Sequence, residues 1–509
     1  MVSHRSVSAA DPASSVPLST RQWGALHWRG LLAAGGLVLV VSASRFATAI
    51  GYIEDPDSLR FALSVADMYS VVALQPHFPG YPVFWAVAKP LAVLTGSIAA
   101  AFTLVGVLAT LGLVWAGLGL LRTPLVSRLG VAWAIAVLVC PLVWLMATRY
   151  MPDLLGLALA FGTVGLAIRA LDSRRAWQAG AVGLLGGLLA GLRLSYVPFV
   201  LPPLVGLLLR PRQRVPLVGA GLVGTLVWLI PLVVDTGGAD LVAAANRQTV
   251  GHFMEFGGTV AAEEASLRYR LQRTVESIWA DGLGGWWPGR HPVTWLSSLA
   301  LAVGLVCGGR EVVHATRRSE QARRAAGWIL ASATTYGIWM VLYQNVIYKS
   351  RHALPLIGLA LLVVSLGAAS VWALHSRWRW AIRGALLAGY AAVAAVAVTL
   401  AVQHRQPTAI AQVTEHARSV VAERPDVHIV TTPLVQYTLE RQGVQANYVD
   451  ATAVEALRRL PDTALLAVGA SLPGRVYSQA DTFYHNPYVN RMWARIPVFV
   501  YEASGEHVP

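Results

Sequence analysis

Residues 98–121 read Ile98-Ala-Ala-Ala-Phe102-Thr-Leu-Val-Gly-Val-Leu-Ala-Thr110-Leu-Gly-Leu-Val-Trp115-Ala-Gly-Leu-Gly-Leu-Leu121, with no charged side chain anywhere in the run. At about 1.5 Å per helical residue this stretch covers the roughly 30 Å hydrocarbon core of a bilayer. A helix is the local structure that satisfies its own backbone there. Similar runs recur between charged punctuation, near 29–50, 98–121, 129–147, 151–170, 178–192, 194–209, 216–234, 293–309, 326–343, 353–373 and 384–402. They predict about eleven transmembrane helices, with the division between 178–192 and 194–209, around Arg193, left open. The whole chain agrees: 509 residues, 55% hydrophobic and 13% charged, with mean hydropathy +0.54. A soluble core stops growing near about 250–300 residues, so the class is a polytopic α-helical membrane protein.

The formal net charge of +14 does not point to nucleic acid. Its arginines fall in short clusters between apolar runs rather than on a basic domain, and no nucleic-acid reading motif is present. Arg122–Arg128, Asp172–Arg175, Arg210–Arg214, Arg310–Arg324 and His375–Arg383 hold most of the loop arginine. Short basic loops stay on the cytoplasmic side, so the N-terminus is expected inside and, with an odd span count, the C-terminus outside. Residues 1–28 read as a polar, disordered cytoplasmic tail, and residues 29–403 as the transmembrane module. The two cysteines, Cys140 and Cys307, sit inside expected spans and offer no disulfide framework. Ala/Gly/Val/Arg-rich usage suggests a bacterial plasma membrane.

Three regions are then expected on the outer side. Residues 51–97 carry an acidic motif and a half-amphipathic stretch, Tyr81 to Leu94, suited to the membrane surface. Residues 235–292 end in Trp286-Trp287-Pro288, which suits an interfacial aromatic belt. Residues 404–509 change character. Strands at Val427–Thr431, Ala446–Val449, Ala464–Val468 and Pro497–Tyr501, with helices at Leu434–Arg441 and Thr452–Leu460, predict a small extracytoplasmic α/β domain. Thr452 and Glu455 fit a capping box. Tyr484, Tyr488 and Trp493 read as core or membrane-interface aromatics, with sugar stacking as the alternative.

The first outer loop begins Gly51-Tyr-Ile-Glu54-Asp55-Pro56-Asp57-Ser58-Leu59-Arg60-Phe61. Three carboxylates within four positions repel one another, which raises at least one pKa unless cations compensate. Such a carboxylate can take a proton from an attacking hydroxyl. It can equally cap a helix N-terminus, and spacing alone leaves both readings open. About twenty residues later comes Gln75-Pro76-His77-Phe78-Pro79-Gly80-Tyr81-Pro82.

Together these segments resemble the first loop of the GT-C superfamily of lipid-carrier-dependent glycosyltransferases, closest to the protein O-mannosyltransferase and aminoarabinose-transferase group. Asp57 to Phe61 stand for the family's Asp-Glu and Arg-aromatic steps, and His77 to Gly80 for its His-Pro-Pro-Leu-like turn. Ser58 replaces the usual Glu, which leaves Asp57 first and Asp55 second as the base, with Glu54 as a substitute acid. The resemblance implies that Asp153, in Arg149-Tyr150-Met151-Pro152-Asp153, orients the acceptor or a divalent cation, and that His77 supports that turn. It implies that Arg193, Lys349, Arg351 and His352 face the carrier phosphate. Read without the family, Asp153 is a helix N-terminal charge, and the cations are anionic-lipid contacts.

The resemblance further implies an inverting hexosyl- or pentosyltransferase. It would move a sugar from a polyprenyl-phosphate donor to a glycan, lipid or protein hydroxyl on the outer face. Glu54, Asp55, Asp57 and Asp153 offer hard oxygen ligands, so a divalent cation is a possible but open cofactor. A transporter or flippase would also explain many spans, but transporters show internal repeats and midplane polar groups. No repeat is evident, and the charges gather at span ends. Ser58 keeps a third reading alive, a catalytically degenerate glycan-assembly protein.

Overall fold

The computed structural model of the chain describes residues 20–255, 257–262, 265–461 and 463–502. The first nineteen residues of the expected tail lie outside them. Residues 20–28 are helical, because the first helix, Thr20–Ala47, begins before its apolar run does. Among the described residues, nine stretches are long and apolar enough to cross a membrane. One of them, Ala176–Leu208, holds two of the expected spans. Arg193 pairs with Asp153 at the start of helix Asp153–Ser173. Arg210 and Gln213 reach the carbonyls of Leu171 and Ala170 near that helix's other end. Helix Val197–Leu208 has therefore run back across the bundle after the turn Leu194–Tyr196.

The expected span 129–147 is also two helices, Arg128–Val139 and Pro141–Met146. Pro141 has no N–H to continue the ladder, so carbonyls in the preceding turn lose their partners. Arg45, fully buried, answers one of them: Nη2 donates to the Leu138 carbonyl at 3.0 Å, and the guanidinium lies 4.2 Å from the Trp144 ring centre. With Ile98–Leu121, Pro211–Thr236, Thr294–Arg318, Glu320–Tyr343, Leu354–Ala373 and Arg379–Gln403, the described helices make about eleven crossings.

Glycines set the closest helix contacts. A Cβ on Gly183 would lie 2.0 Å from the Leu217 carbonyl, and one on Gly187 2.5 Å from that of Gly221. Helices Ala176–Arg193 and Pro211–Thr236 thus touch backbone to backbone, the small-residue packing usual where no hydrophobic effect drives helices together. The main core, around Trp133, Phe161, Tyr196, Phe199 and Tyr336, fills the middle of the bundle.

The two ends of the bundle differ. One gathers Arg122, Arg174, Arg210 and the arginines of 317–324 and 377–383, with Arg122 paired to Asp172 at 2.5 Å. The other carries the loop of residues 51–97, which folds into helices Pro56–Ala66 and Pro82–Thr95. It also carries the described residues of 237–293 and those after Gln403.

There, helix Ala409–Glu423 leads into a five-stranded sheet of order β2-β1-β3-β5-β4, with β1 His428–Thr431, β2 Asn447–Asp450, β3 Leu465–Val468, β4 Gln479–Tyr484 and β5 Arg495–Tyr501. β1 pairs in parallel with β2 and β3, and β5 pairs antiparallel with β3 and β4. The wholly buried run of β3 suits a central strand covered on both faces. The helix of residues 409–423 and strand β4 were not expected. The capping box does not form either. Thr452 turns both its N–H and its hydroxyl to the Asp450 carboxylate, at 2.8 and 2.6 Å, and the short helix starts two residues later at Val454–Arg458.

Candidate active site

Asp55 caps helix Pro56–Ala66: its backbone is extended, Pro56 takes the first helical position, and Oδ1 accepts the Ser58 N–H at 2.8 Å. That cap puts Glu54, Asp55 and Asp57 at one helix end, so the capping reading holds for Asp55. It leaves the other two acids to be accounted for.

Each is met by cations from distant segments. Asp57 Oδ2 accepts from Lys349 Nζ at 2.6 Å and from the Arg351 guanidinium, while Arg60 Nη1 stands 3.6 Å from Oδ1. Glu54 is gripped by Arg149 Nε at 2.9 Å and His404 Nε2 at 2.7 Å. Asp153 Oδ1 accepts from Arg193 Nη2 at 2.8 Å and lies 3.8 Å from Arg351 Nε, and Arg351 is also 3.8 Å from Asp55 Oδ2. Arg351 therefore links Asp55, Asp57 and Asp153.

Burial inside this network sets the proton affinities of the loop acids. Burial alone raises a carboxyl. At Glu54 the opposing pull of Arg149 and His404 wins and holds it at about 2. At Asp57 Lys349 and Arg351 outweigh burial and hold it well below the ordinary carboxylate range. Asp55 goes the other way: burial and the neighbouring Glu54 push it up against the pull of Arg351. Asp57 is 9% exposed, against 1% for Glu54 and Asp55, so it is the acid most open to a substrate.

No protein-family model and no curated protein matches the sequence. Solved structures do match. ArnT from Cupriavidus metallidurans, bound to undecaprenyl phosphate, superposes with a TM-score of 0.53 at 14% identity, over 96% of this chain and 100% of that one. Its apo state gives the same values. The chain shares the fold of that ArnT structure. The Archaeoglobus fulgidus oligosaccharyltransferase also matches, with a TM-score of 0.45 at 12% identity, over 82% of this chain and 64% of its own. This chain thus spans less than two thirds of that protein's length.

Within this fold, the structure brings Glu54, Asp55, Asp57, Asp153, Arg193, Lys349 and Arg351 into one connected cluster. His77 stands beside it. Its Nε2 meets the Tyr81 hydroxyl at 3.1 Å, and the hydroxyl lies 3.4 Å from Arg193 Nη1. Burial and the nearby cations push the imidazole down to about 3 despite Asp57, so it is neutral. His352 is buried in the turn after Arg351, and its carbonyl accepts the Tyr336 hydroxyl at 2.8 Å. Its ring Nδ1 has no hydrogen-bond partner among the described residues.

The four acids weighed as oxygen ligands for a divalent cation instead face guanidinium, ammonium, imidazole or amide donors. Among the described residues no group of three or more His, Cys, Asp or Glu side chains is gathered to hold an ion.

Sequence reasoning missed the contribution of the tail. His404 pairs with Glu54, Thr408 Oγ1 donates to the Glu54 carbonyl at 2.9 Å, and Asn490 Nδ2 donates to Asp55 Oδ2 at 3.3 Å. Arg149, quoted in the sequence only as part of the Asp153 motif, also donates to the Val489 carbonyl. The aromatic patch is likewise engaged. The Tyr488 ring lies 4.2 Å from the Arg290 guanidinium, and Trp493 packs on the sheet core.

Proposed function

We propose that the protein is an inverting glycosyltransferase moving a hexose or pentose from a polyprenyl-phosphate carrier to a hydroxyl of a cell-envelope glycan, lipid or protein. The observation that carries this is the pairing of Asp57, the most open acid of the cluster, with Lys349 and Arg351 at one end of a GT-C fold. The ArnT structure holding undecaprenyl phosphate supports a polyprenyl-phosphate donor here. Basic loops at the other end support an orientation with that end and the N-terminus in the cytoplasm, and residues 404–509 outside the plasma membrane.

The acceptor oxygen bonds to the anomeric carbon as the bond from that carbon to the phosphate oxygen breaks on the opposite face. The bonding pair stays with the leaving phosphate, whose new charge is balanced by Lys349, Arg351 and Arg193. The acceptor's proton goes to Asp57. Its Oδ2 is held by the two cations, and Oδ1, met only loosely by Arg60, is the oxygen left to receive it. A weakly basic carboxylate is adequate, because the attacking hydroxyl becomes strongly acidic as its bond to carbon forms. Asp153, whose Oδ2 has no hydrogen-bond partner among the described residues, orients the acceptor. A divalent ion at this site would have to displace the chain's own cations.

The test is incubation of the purified protein with a set of polyprenyl-phosphate sugars, following release of the carrier phosphate. Asp57→Asn should lower turnover by about 10²–10⁴-fold, and Asp55→Asn by less. Full activity in both variants overturns the assignment of the base. Solute movement with no chemical change would favour a transporter.

A further inference from the structure

The segment between β4 and β5 reaches from its sheet to the acid cluster. His485 Nδ1 accepts the Ala409 N–H at 3.0 Å, which fixes the proton on Nε2, and Nε2 donates to the Asn490 carbonyl at 2.7 Å. Asn490 Oδ1 in turn accepts the Met492 N–H at 3.0 Å, so the amide has one orientation, with Nδ2 toward Asp55 Oδ2. On its other side Arg491 bonds Asp281 at 2.5 Å and lies 3.4 Å from Glu276, both buried. Asn490 is itself 5% exposed. A side chain so placed, 435 positions from its partner in sequence, does more than close a hairpin.

We infer that residues 485–491 form a wedge that seals the acid cluster, with Asn490 as the positioning residue for Asp55. The mechanism above gave the tail no part. In this inference the sheet module completes the site, because, among the described residues, the only amide donor on Asp55 from outside its own helix comes from this wedge. Asp55 caps the helix that presents Asp57, so a shift in Asp55 is passed to Asp57 through Pro56. The inference rests on the proposed transferase reading for its kinetic consequence, but not for its structural one.

Two variants separate amide from shape. Asn490→Leu keeps the volume and removes the donor, while Asn490→Gln keeps the amide. The full-length protein in detergent is treated with a hydrophobic carbodiimide, and labelling of Asp55 and Asp57 is read by peptide mass spectrometry. Asn490→Leu should raise Asp55 labelling several-fold with Asp57 within about twofold, and Asn490→Gln should stay near wild type. His485→Leu, which cuts the wedge from Ala409 but keeps Asn490, should give the same pattern more weakly. It stands in should Asn490→Leu fail to fold. Unchanged Asp55 labelling in the folded Leu variants, or an equal rise at both acids, overturns the inference.

In the carrier-release assay, loss of one hydrogen bond to a carboxylate predicts a fall in kcat of about tenfold to a hundredfold. KM should hold within about twofold, and the Gln variant should recover most of the loss. Altered labelling without transfer from any donor would sink the transferase reading and leave the wedge standing.

Discussion

Glu54 is the side chain on which the cluster's stability turns. It is fully buried and satisfied by Arg149 and His404, so Glu54→Gln leaves the buried Arg149 guanidinium facing a neutral amide. Breaking a buried pair by removing one partner costs about 3–5 kcal/mol, and the thermal transition in detergent should fall accordingly. The pH dependence has a definite sign. The folded carboxyl titrates near 2, below its ordinary value of 4.5, so the unfolded chain takes the proton first. The stabilisation is complete above about pH 4.5 and fades as pH falls toward 2. Wild type should lose thermal stability steeply in that window and Glu54→Gln much less, whereas parallel acid limbs would refute the assignment. Arg193 was legible in sequence because a charge at a membrane boundary is expensive unless paired, and Asp153, Lys349 and Arg351 were legible through the family resemblance of the segments that hold them. His404 and Asn490 were not. They sit in a polar tail where such residues are ordinary, and their partners lie 350 and 435 positions away.

At the scale of elements, the spans were legible wherever apolar length alone decides, and one was read as unbroken where a proline interrupts it. Pro141 breaks a run that hydropathy reads as continuous, while the turn after Arg193 falls where the sequence placed a division between two short spans. In the sheet module the expected capping box lost to a local competitor, the Asp450 carboxylate, which pairing rules over three residues do not see. Helix contacts were not legible in the sequence. The structure shows which glycines matter: Gly36 and Gly162 face open space, while Gly183 meets the Leu217 carbonyl. Gly183→Val would force helices Ala176–Arg193 and Pro211–Thr236 apart, at about 1–3 kcal/mol for an overpacked contact. The same change at Gly162 should be near neutral. Detergent thermal unfolding of the two variants checks this, and equal effects would mean that the close contact does not bear on stability. Because Arg193 ends the first of these helices, Gly183→Val should also weaken donor binding more than Gly162→Val does.

At the scale of the whole molecule, the charge is polarised along the bundle. The acids and their partner cations crowd one end in neutralised clusters, while the arginines of the other end stand mostly unopposed in short connections. Insertion retains unopposed basic loops on the cytoplasmic side, whereas cations already balanced by carboxylates exert little such pull. The acid end should therefore face outward even though it, too, is rich in arginine. Two exposed serines report on this: Ser319 between two helices at the basic end, and Ser471 after β3 in the sheet module. With Cys140 buried and Cys307 within helix Thr294–Arg318, the native background is low. Ser471→Cys should react with a membrane-impermeant maleimide on intact cells, and Ser319→Cys only after permeabilisation. The reverse pattern would put the acid cluster in the cytoplasm. The carrier-linked sugar would then have to be used on the face where nucleotide sugars are also available, and the case for a polyprenyl-phosphate donor would lose its topological support.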